Sequence, residues 1–454
     1  MSTIAAISTP LGAGGIAVIR ISGENSKEIA DKVFFSKSGR KIKDLKGYQA
    51  LFGDVKDEKG EKIDEAVALN FNAPNSFTGE DVVEISCHGG IFAVKEVLSV
   101  IYKAGAKPAS PGEFTKRAFL NGKIDLTKAE AVMDIISAKG KEAMRSAVAA
   151  KDGALSKKIN KIKDNITELC GNLSAWADYP DDDIPQVDDE MLITYLSEAE
   201  DELNKLLSTF NAGKIIREGV NTVIAGKPNA GKSTLMNLLS GCERSIVSSF
   251  AGTTRDVVEE TVMLGSIPLR LADTAGIRNT SDPIESIGVK LTKKRIESAE
   301  LVLAVFDSSE SLSEEDEELI ESVKDVPCLA IINKCDLESK LDINYIESKF
   351  EKVAYISAKI GNGLEELQSK CEELLRINEL SGNGESLFTE RQKNDAEIAL
   401  NAIIEAKEAF YMGFTLDAIT VSCEAALAAL CELTGERVSD SVVDNVFSRF
   451  CVGK

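Results

Sequence analysis

Apolar positions change their spacing along the chain, and the changes separate strand-like from helix-like segments. Near the N-terminus, short β-branched runs lie between turn residues, a pattern typical of strands. The three clearest runs are Ile16–Ile21, Ala66–Phe71 and Val82–Ser86. Residues 122–215 and 386–454 instead carry apolar side chains at helical spacing with few turn signals. Between these two segments, apolar runs of strand length alternate with helical patterns, which predicts a doubly wound α/β domain.

The two helical segments flank the α/β segment, and each needs a partner for its apolar face. We therefore expect them to pack together as one helical bundle with the α/β domain inserted. Ser381–Gly384 has the composition of the linker that returns the chain to the bundle. The fold class predicted is multidomain α/β plus all-α, with an N-terminal α+β domain. The predicted boundaries are 1–120 for that domain, 121–215 and 379–454 for the helical parts, and 216–378 for the inserted domain.

The inserted domain carries a phosphate-binding loop between a strand and a helix. The loop Gly226–Ser233 follows the apolar run Val220–Ala225, and Thr234–Leu239 is typical of a helix start. Its glycines let backbone N–H groups close around phosphates, and the helix N-terminus adds positive potential. Lys232 would reach the β- and γ-phosphates, and the Ser233 hydroxyl would bind Mg²⁺. The other residues predicted to contact nucleotide here are Asn229, Ala230 and Gly231 of the loop and Thr234 at the helix start.

Further nucleotide motifs follow in order along the chain. Thr254, within the segment 252–256, is placed to complete the Mg²⁺ shell. Asp273 can hold the ion through water, and the Gly276 N–H can sense a γ-phosphate. This second motif is Asp273, Thr274, Ala275 and Gly276.

Two motifs near the end of the domain predict the base. Asp336, in the segment Asn333–Lys334–Cys335–Asp336, can accept two hydrogen bonds from the N1 and N2 edge of guanine, whereas adenine offers no amino donor there. A buried acceptor without its partner is costly, so the pocket should reject ATP. Ser357 and Ala358 suit a backbone contact to guanine O6. These ordered elements predict a GTP-binding domain.

One position in this domain departs from small signalling GTPases. They follow the glycine of the second motif with a glutamine that orients the attacking water, but here that residue is Ile277. Asn229 lies where the β–γ bridge must be, and a monovalent cation on its amide oxygen could offset developing charge. Capping of the loop by Asn229 is an equally open alternative.

Composition limits the class of protein. A chain of 454 residues with 43% apolar residues is expected to form two to four domains. We see neither an apolar run of membrane-spanning length nor a signal-peptide pattern, and nine scattered cysteines favour a reduced cytoplasm. A single histidine, His88, excludes a histidine-rich metal site. The net charge of −21, without a basic tract, predicts that any RNA substrate is contacted largely through another protein.

The chain resembles the MnmE (TrmE) family of tRNA uridine-modification GTPases over essentially its whole length. Besides the nucleotide motifs, the resemblance rests on three segments: Pro74–Asp81, Pro111–Asn121 and the terminal Phe450–Lys454. It implies a cytoplasmic homodimer, in which the N-terminal domain dimerises and binds a tetrahydrofolate derivative, 5-formyl- or methylene-tetrahydrofolate. It also implies that the chain works with the FAD-dependent flavoprotein MnmG (GidA) on tRNA. The product would be an aminomethyl or carboxymethylaminomethyl group on C5 of the wobble uridine.

The resemblance also implies roles for individual residues. Arg20, Glu84, Lys123 and Lys454 fall where the family contacts folate. A carboxylate such as Glu84 can pair with a pterin edge, and Arg20 can neutralise the glutamate tail. The implied K⁺ ligands are Asn229, Ser248, Phe250 and Thr253.

Two residues of the resemblance concern catalysis. Glu285 matches an acidic residue that helps to orient water, although a solvated helix start after Pro283 is the alternative. Cys451 could act as a nucleophile in one-carbon chemistry, or it could simply pack the tail. An alternative function for the whole chain is a regulatory ribosome-assembly GTPase with no chemistry of its own.

Overall fold

A computed structural model describes residues 1–178, 189–241, 260–271, 296–377 and 384–454. These residues form two compact units, and each is described by itself. The first unit joins Met1–Met133 to Cys431–Lys454, and the second is Asp134–Leu430. Within the described parts of the chain, no helix is long and apolar enough to cross a membrane. The four domain segments expected from the sequence, 1–120, 121–215, 216–378 and 379–454, remain a proposal.

The strands, in chain order, are β1 Ile4–Ile7, β2 Ile16–Ser22, β3 Phe34–Ser36, β4 Gln49–Lys56, β5 Lys62–Phe71, β6 Val82–His88, β7 Lys107–Pro108, β8 Val220–Ala225, β9 Glu260–Leu264, β10 Ile267–Leu271, β11 Leu301–Asp307, β12 Cys328–Asn333 and β13 Lys352–Tyr355. The helices are α1 Ser26–Val33, α2 Ile91–Lys103, α3 Glu113–Leu120, α4 Leu126–Ser137, α5 Lys141–Lys151, α6 Ala154–Asp178, α7 Asp189–Ser208, α8 Phe210–Glu218, α9 Lys232–Gly241, α10 Glu314–Ser322, α11 Ile343–Lys349, α12 Leu364–Leu374, α13 Glu390–Tyr411, α14 Leu416–Thr434 and α15 Asp440–Ser448.

The first unit is built on a seven-stranded sheet in the order β3-β4-β5-β6-β2-β1-β7. All neighbours are antiparallel except the parallel pair β1 and β7. Side chains alternate across each strand, so Ile19, Ile21 and Ile85 form a core with α1 and α2 on one face. Arg20 and Glu84 have the opposite parity and project from the other face. The sheet thereby places two predicted site residues side by side.

Three strands of this predicted α+β domain were located from the sequence pattern, but the positions of helices α1, α2 and α3 were not. Helix α2 is apolar along most of its length, and a short apolar run has no clear period that separates a helix from a strand. Packing against the sheet decides the outcome, because Val97 and Ile101 are fully buried on one side of α2.

The second unit contains a six-stranded sheet in the order β13-β12-β11-β8-β10-β9, parallel except for the antiparallel pair β9 and β10. All seven residues of β11 are buried. Alternate β11 side chains enter two separate apolar clusters, one on each face, as in Leu303 and Ala304. Both faces are therefore covered, and the predicted doubly wound α/β fold is confirmed. The carboxyl ends of these strands carry the nucleotide motifs.

The helices on either side of this sheet in the sequence also meet, as the sequence predicted. Helix α7, which precedes the sheet, packs along α13, which follows it. Lys407 pairs with Glu200 across this contact at 2.6 Å. The first and last helical segments therefore bury their apolar faces against one another.

Candidate functional site

The phosphate-binding loop joins the end of β8 to the start of α9 and depends on glycine at two positions. Gly226 has φ 156° and Gly231 has φ 100°, in the region that favours glycine. A Cβ on Gly226 would lie 2.5 Å from the Val305 carbonyl oxygen, and one on Gly231 would lie 2.1 Å from Asn333 Nδ2. The backbone therefore approaches its neighbours too closely for a side chain at either position.

Lys232 lies inside this loop. Its Nζ donates hydrogen bonds to the carbonyl oxygens of Gly226 and Lys227, both at 2.7 Å. Burial disfavours the ammonium charge and lowers the pKa of Lys232. A phosphate group is a better partner for this cation than two neutral carbonyls. The geometry thus suits transfer of Nζ from the loop to a bound phosphate.

Asn333 ties the loop to the base-recognition segments. Its Nδ2 donates to the Ala230 carbonyl oxygen at 2.9 Å, and its Oδ1 accepts from the Ala358 N–H at 3.0 Å. These three residues are no more than 6% exposed. One buried amide therefore holds together three segments that are far apart in sequence.

The predicted guanine contacts meet beside this bridge. Ser357 Oγ donates to Asp336 Oδ1 at 2.5 Å, and this hydrogen bond lowers the pKa of Asp336. Asp336 is exposed to solvent and Ser357 is buried. The carboxylate is thus ionised at neutral pH and oriented at the mouth of the site, as recognition of two guanine N–H groups requires.

Lys334 pairs with Asp307, which the sequence analysis did not select. Asp307 is 2% exposed at the carboxyl end of β11. Burial alone would raise the pKa of Asp307, but hydrogen bonds from Lys334 and Ser309 outweigh burial and lower it. The signal was present in the sequence, because Asp307 ends an uninterrupted apolar run. An acidic residue at that edge of a parallel sheet is placed to contact the nucleotide loops.

Several predicted residues lie outside the described part of the chain. They include all the predicted K⁺ ligands except Asn229, the second Mg²⁺ ligand and the proposed water-orienting residue: Ser248, Phe250, Thr253, Thr254, Asp273, Thr274, Ala275, Gly276, Ile277 and Glu285. Asn229 is exposed at the loop tip with φ 61°. Ser233 and Thr234 lie in the first turn of α9.

A second group of predicted residues meets in the first unit. Arg20 and Glu84 are directly opposite in the β2–β6 register, and Nε and Nη2 of Arg20 each lie 2.8 Å from Glu84 Oε1. The guanidinium also lies over the rings of Phe77 and Phe114, at 4.9 and 5.6 Å from their centroids. Arg20 Nη1 is buried and has no hydrogen-bond partner among the described residues. This orphaned donor fits an acceptor supplied by a ligand.

The C-terminal tail lies against the start of α3, beside the same phenylalanine. The Phe114 N–H donates to the Lys454 carbonyl oxygen at 3.2 Å, and the Gly112 N–H donates to that of Cys451 at 3.3 Å. Gly453 has φ 96°, and a Cβ there would lie 2.2 Å from the Ile7 carbonyl oxygen. Cys451 is half-buried. Phe114 therefore contacts both groups: its ring lies under the Arg20 guanidinium, and its backbone N–H binds the C-terminal tail.

The loop that carries Phe77 is held by two basic residues. Lys123 Nζ, the fourth predicted folate contact, donates to the Pro74 carbonyl oxygen at 2.9 Å on the exposed side. Arg117, which the sequence analysis did not select, pairs with Glu80 at 3.1 Å and with Glu113 at 2.8 Å. Its side chain is 4% exposed. A clue was present, because the two acidic partners lie in two of the three segments that carry the family resemblance.

Comparison with known proteins covers the whole chain. The family model of the GTP-binding protein TrmE N-terminus matches residues 3–123, and that of the MnmE helical domain matches residues 126–451. The tRNA modification GTPase MnmE of Acetivibrio thermocellus is 42% identical over 456 residues, covering 100% of this chain and 99% of the relative. The protein of the same name from Alkaliphilus oremlandii is 41% identical with the same coverage. A solved structure of Era from Aquifex aeolicus bound to GDP·AlF4⁻ covers 41% of this chain and 67% of that one, at 28% identity and a TM-score of 0.26.

Proposed function

The chain belongs to the MnmE (TrmE) family of tRNA modification GTPases, and we propose that it couples GTP hydrolysis to modification of the wobble uridine of tRNA. As a member of this family it is a GTPase that acts in tRNA modification. The finer proposal is that it installs an aminomethyl or carboxymethylaminomethyl group at C5, with a tetrahydrofolate one-carbon unit. The observation that carries the GTP part is the junction of the phosphate loop, Asn333, and the Asp336–Ser357 pair.

GTP binding follows from the chemistry of that junction. The amides of the loop and the α9 N-terminus bind the phosphates, and Lys232 exchanges its two carbonyl partners for phosphate oxygens. Asp336, oriented by Ser357, accepts hydrogen bonds from guanine. The buried hydrogen bond from the Ala358 N–H to Asn333 Oδ1 fixes the base pocket relative to the phosphate loop.

Hydrolysis needs a substitute for the glutamine that this chain lacks. Ser233 and Thr254 would hold Mg²⁺, and Asn229, Ser248, Phe250 and Thr253 would hold K⁺. When bound, the two ions supply charge stabilisation at the transferring phosphoryl group. Asn229 is exposed at the loop tip with φ 61°, which suits a ligand shared with an incoming surface. Glu285 would help to orient the water.

The cation proposal has a direct test. GTP turnover is measured in KCl and in NaCl at matched ionic strength, with Asn229→Ala as the variant and Asn221→Ala, at a half-buried position of β8, as its control. We expect turnover to be much faster in KCl, and we expect Asn229→Ala to abolish only that difference. Equal turnover in the two salts would contradict the K⁺ role.

The proposed folate site comprises Arg20, Glu84, Lys123 and Lys454. Arg20 Nη1 is a buried donor that fits a ligand acceptor, and the guanidinium lies over the rings of Phe77 and Phe114. Phe114 is fully buried, so the half-buried Phe77 is the ring placed to contact a flat heterocycle. A bound folate derivative would supply the one-carbon unit. Cys451 on the neighbouring tail would act as a nucleophile or would pack the tail.

Calorimetric titration with 5-formyl-tetrahydrofolate tests this site. We expect Arg20→Met to lose binding at least tenfold, because the orphaned donor and the charge disappear together. Arg40→Met is the matched control, since Arg40 is an exposed arginine of the same unit. Unchanged affinity in Arg20→Met would contradict the assignment.

The proposed partners are a second copy of the chain, the flavoprotein MnmG (GidA), and tRNA. With a net charge of −21, the chain is a poor electrostatic match for RNA by itself. The flavoprotein would therefore make much of the tRNA contact. GTP-driven pairing of two nucleotide domains would gate the modification chemistry.

A further inference from the structure

Lys227, the second residue of the phosphate loop, is the centre of an ion-pair cluster that none of the predicted roles uses. Its Nζ lies 3.1 Å from Asp316 Oδ2 and 3.1 Å from Glu310 Oε2. The Lys227 side chain is 9% exposed and that of Asp316 is 1% exposed, whereas Glu310 is largely in solvent. The buried contact thus joins the loop to α10, 89 residues away along the chain.

Asp316 is fixed by its own helix and does not depend on Lys227 for its position. It is the third residue of α10, and its carboxylate accepts from the Ser313 N–H at 3.0 Å and from Ser313 Oγ at 2.8 Å. Ser313 Oγ in turn accepts from the Asp316 N–H, which completes a capping box. Asp316 is therefore a rigid anchor on which the loop can be held.

Lys227 transmits this anchor to the part of the loop that meets phosphate. Its carbonyl oxygen accepts from Lys232 Nζ at 2.7 Å and from the Ala230 N–H at 3.3 Å. Its preceding neighbour, Gly226, packs against the Val305 carbonyl. The side chain therefore holds the loop from outside, while the carbonyl of the same residue accepts from Lys232 Nζ inside the loop until phosphate oxygens replace it.

The cluster also controls charge beside the site. The first turn of α10 carries four carboxylates: Glu314, Glu315, Asp316 and Glu317. Negative charge there opposes binding of a nucleotide polyphosphate. Burial opposes the charge on Lys227, but hydrogen bonds from Glu310 and Asp316 outweigh burial and raise its pKa. Lys227 is thus cationic at neutral pH and neutralises the most buried of these carboxylates.

We propose that Lys227 is a positioning residue for nucleotide binding, which acts through its ion pair with Asp316. The pair fixes the first half of the phosphate loop and cancels a buried negative charge next to the phosphates. Because the loop contacts the phosphates of GDP and GTP alike, this role belongs to uniform binding and leaves the chemical step unaffected. The inference rests on the proposed GTP binding at this loop.

The test uses the full chain with a fluorescent N-methylanthraniloyl GDP and with steady-state GTP hydrolysis. We expect Lys227→Met to raise the Kd for the GDP analogue about tenfold and the KM for GTP by a similar factor, with kcat within about twofold. Lys324→Met is the matched control, because Lys324 pairs with Glu321 at the exposed end of the same helix. A Kd within twofold of the unmodified chain would overturn the proposal.

Adding Asp316→Asn to Lys227→Met separates the charge effect from simple loss of a side chain. Asparagine keeps an acceptor for the Ser313 cap but removes the uncompensated charge, so the double variant should recover at least threefold of the lost affinity. No recovery would contradict the ion-pair role. Lys227→Gln is the second variant, with the same expected loss. If neither single variant folds, the pair is a requirement of the fold and the proposal is wrong. Absence of binding by the unmodified chain would instead defeat the GTP assignment.

Discussion

Loss of the Asn333 bridge should weaken nucleotide binding or destabilise the fold, because its side-chain amide joins the phosphate loop to the base-recognition segment. Asn333→Ala leaves the Ala230 carbonyl and the Ala358 N–H buried without their partner. Each unsatisfied buried group costs about 1–3 kcal/mol, so the closed site loses about 2–6 kcal/mol. Even the lower limit corresponds to about a thirtyfold change in an equilibrium constant.

The lost free energy can change either of two measurable quantities, the Kd for GDP or the thermal unfolding midpoint. If the nucleotide-free loop relaxes and exposes both groups to water, the cost falls on closing the site, and the Kd for GDP rises about thirtyfold or more. If the loop does not relax, the cost falls on the fold, and the thermal unfolding midpoint decreases instead. Titration of a fluorescent GDP analogue and thermal unfolding with and without nucleotide therefore measure both parts.

The matched control is Asn221→Ala, which removes an exposed hydrogen bond to the Ser298 carbonyl in the same unit. We expect this variant to change neither quantity beyond a small amount, because water replaces the lost bond. If Asn333→Ala resembles Asn221→Ala in both assays, the bridge carries no free energy and the reasoning is refuted.

Three further predictions concern other parts of the chain. Asp336→Asn should lower affinity for GTP on the order of a hundredfold and improve that for xanthosine triphosphate, in competition titrations; unchanged base preference would contradict the guanine contact. Iodoacetamide should modify the exposed Cys335 in the native chain but not Cys371, because the Cys371 side chain is 0% exposed and burial raises the pKa of its thiol to about 12. Peptide mass spectrometry measures the modification of each cysteine, and equal modification of the two would contradict this prediction. Arg117→Met should lower the thermal unfolding midpoint by several degrees, because Glu80 and Glu113 lose a buried partner, whereas Lys116→Met, which breaks an exposed pair, should not; equal midpoints would show that the buried pair is dispensable.

The nucleotide loop could be predicted from the sequence because its chemistry is local. The glycines, Lys232 and Ser233 must be adjacent in the chain, and a strand and a helix must flank them. The strand predicted at Val220–Ala225 has those bounds in the structure, and α9 begins two residues before the expected helix start.

The long-range contacts that assemble the nucleotide site could not be predicted from the spacing of apolar residues. Asn333 and Ala230 are 103 residues apart, and nothing in the spacing of apolar residues indicates that they share a hydrogen bond. The Lys334–Asp307 and Lys227–Asp316 ion pairs likewise join residues that are distant in sequence and that no local pattern connects. Such contacts depend on strand order, which brings the ends of β8, β11 and β12 to one edge of the sheet.

In the first unit, the family resemblance selected residues that periodicity alone would have left as ordinary strand positions. Arg20 and Glu84 are polar residues between buried apolar ones, as expected in a strand with one exposed face. An ion pair between two such residues occurs without any ligand. Two features distinguish the pair from an ordinary surface contact: the two phenylalanine rings beneath the guanidinium, and an Nη1 that finds no hydrogen-bond partner in the described part of the chain. These features appear only when α3 and the loop containing Phe77 pack beside the sheet.

We propose that this chain acts on the wobble uridine of tRNA, and nucleoside mass spectrometry of bulk tRNA measures that modification itself. Cells of the source organism are compared with and without the gene, and with the gene restored. We expect 5-aminomethyl-type and 5-carboxymethylaminomethyl-type uridines to disappear on deletion and to return with the intact gene. Unchanged levels of these nucleosides in the deletion strain would show that the chain does not modify this uridine.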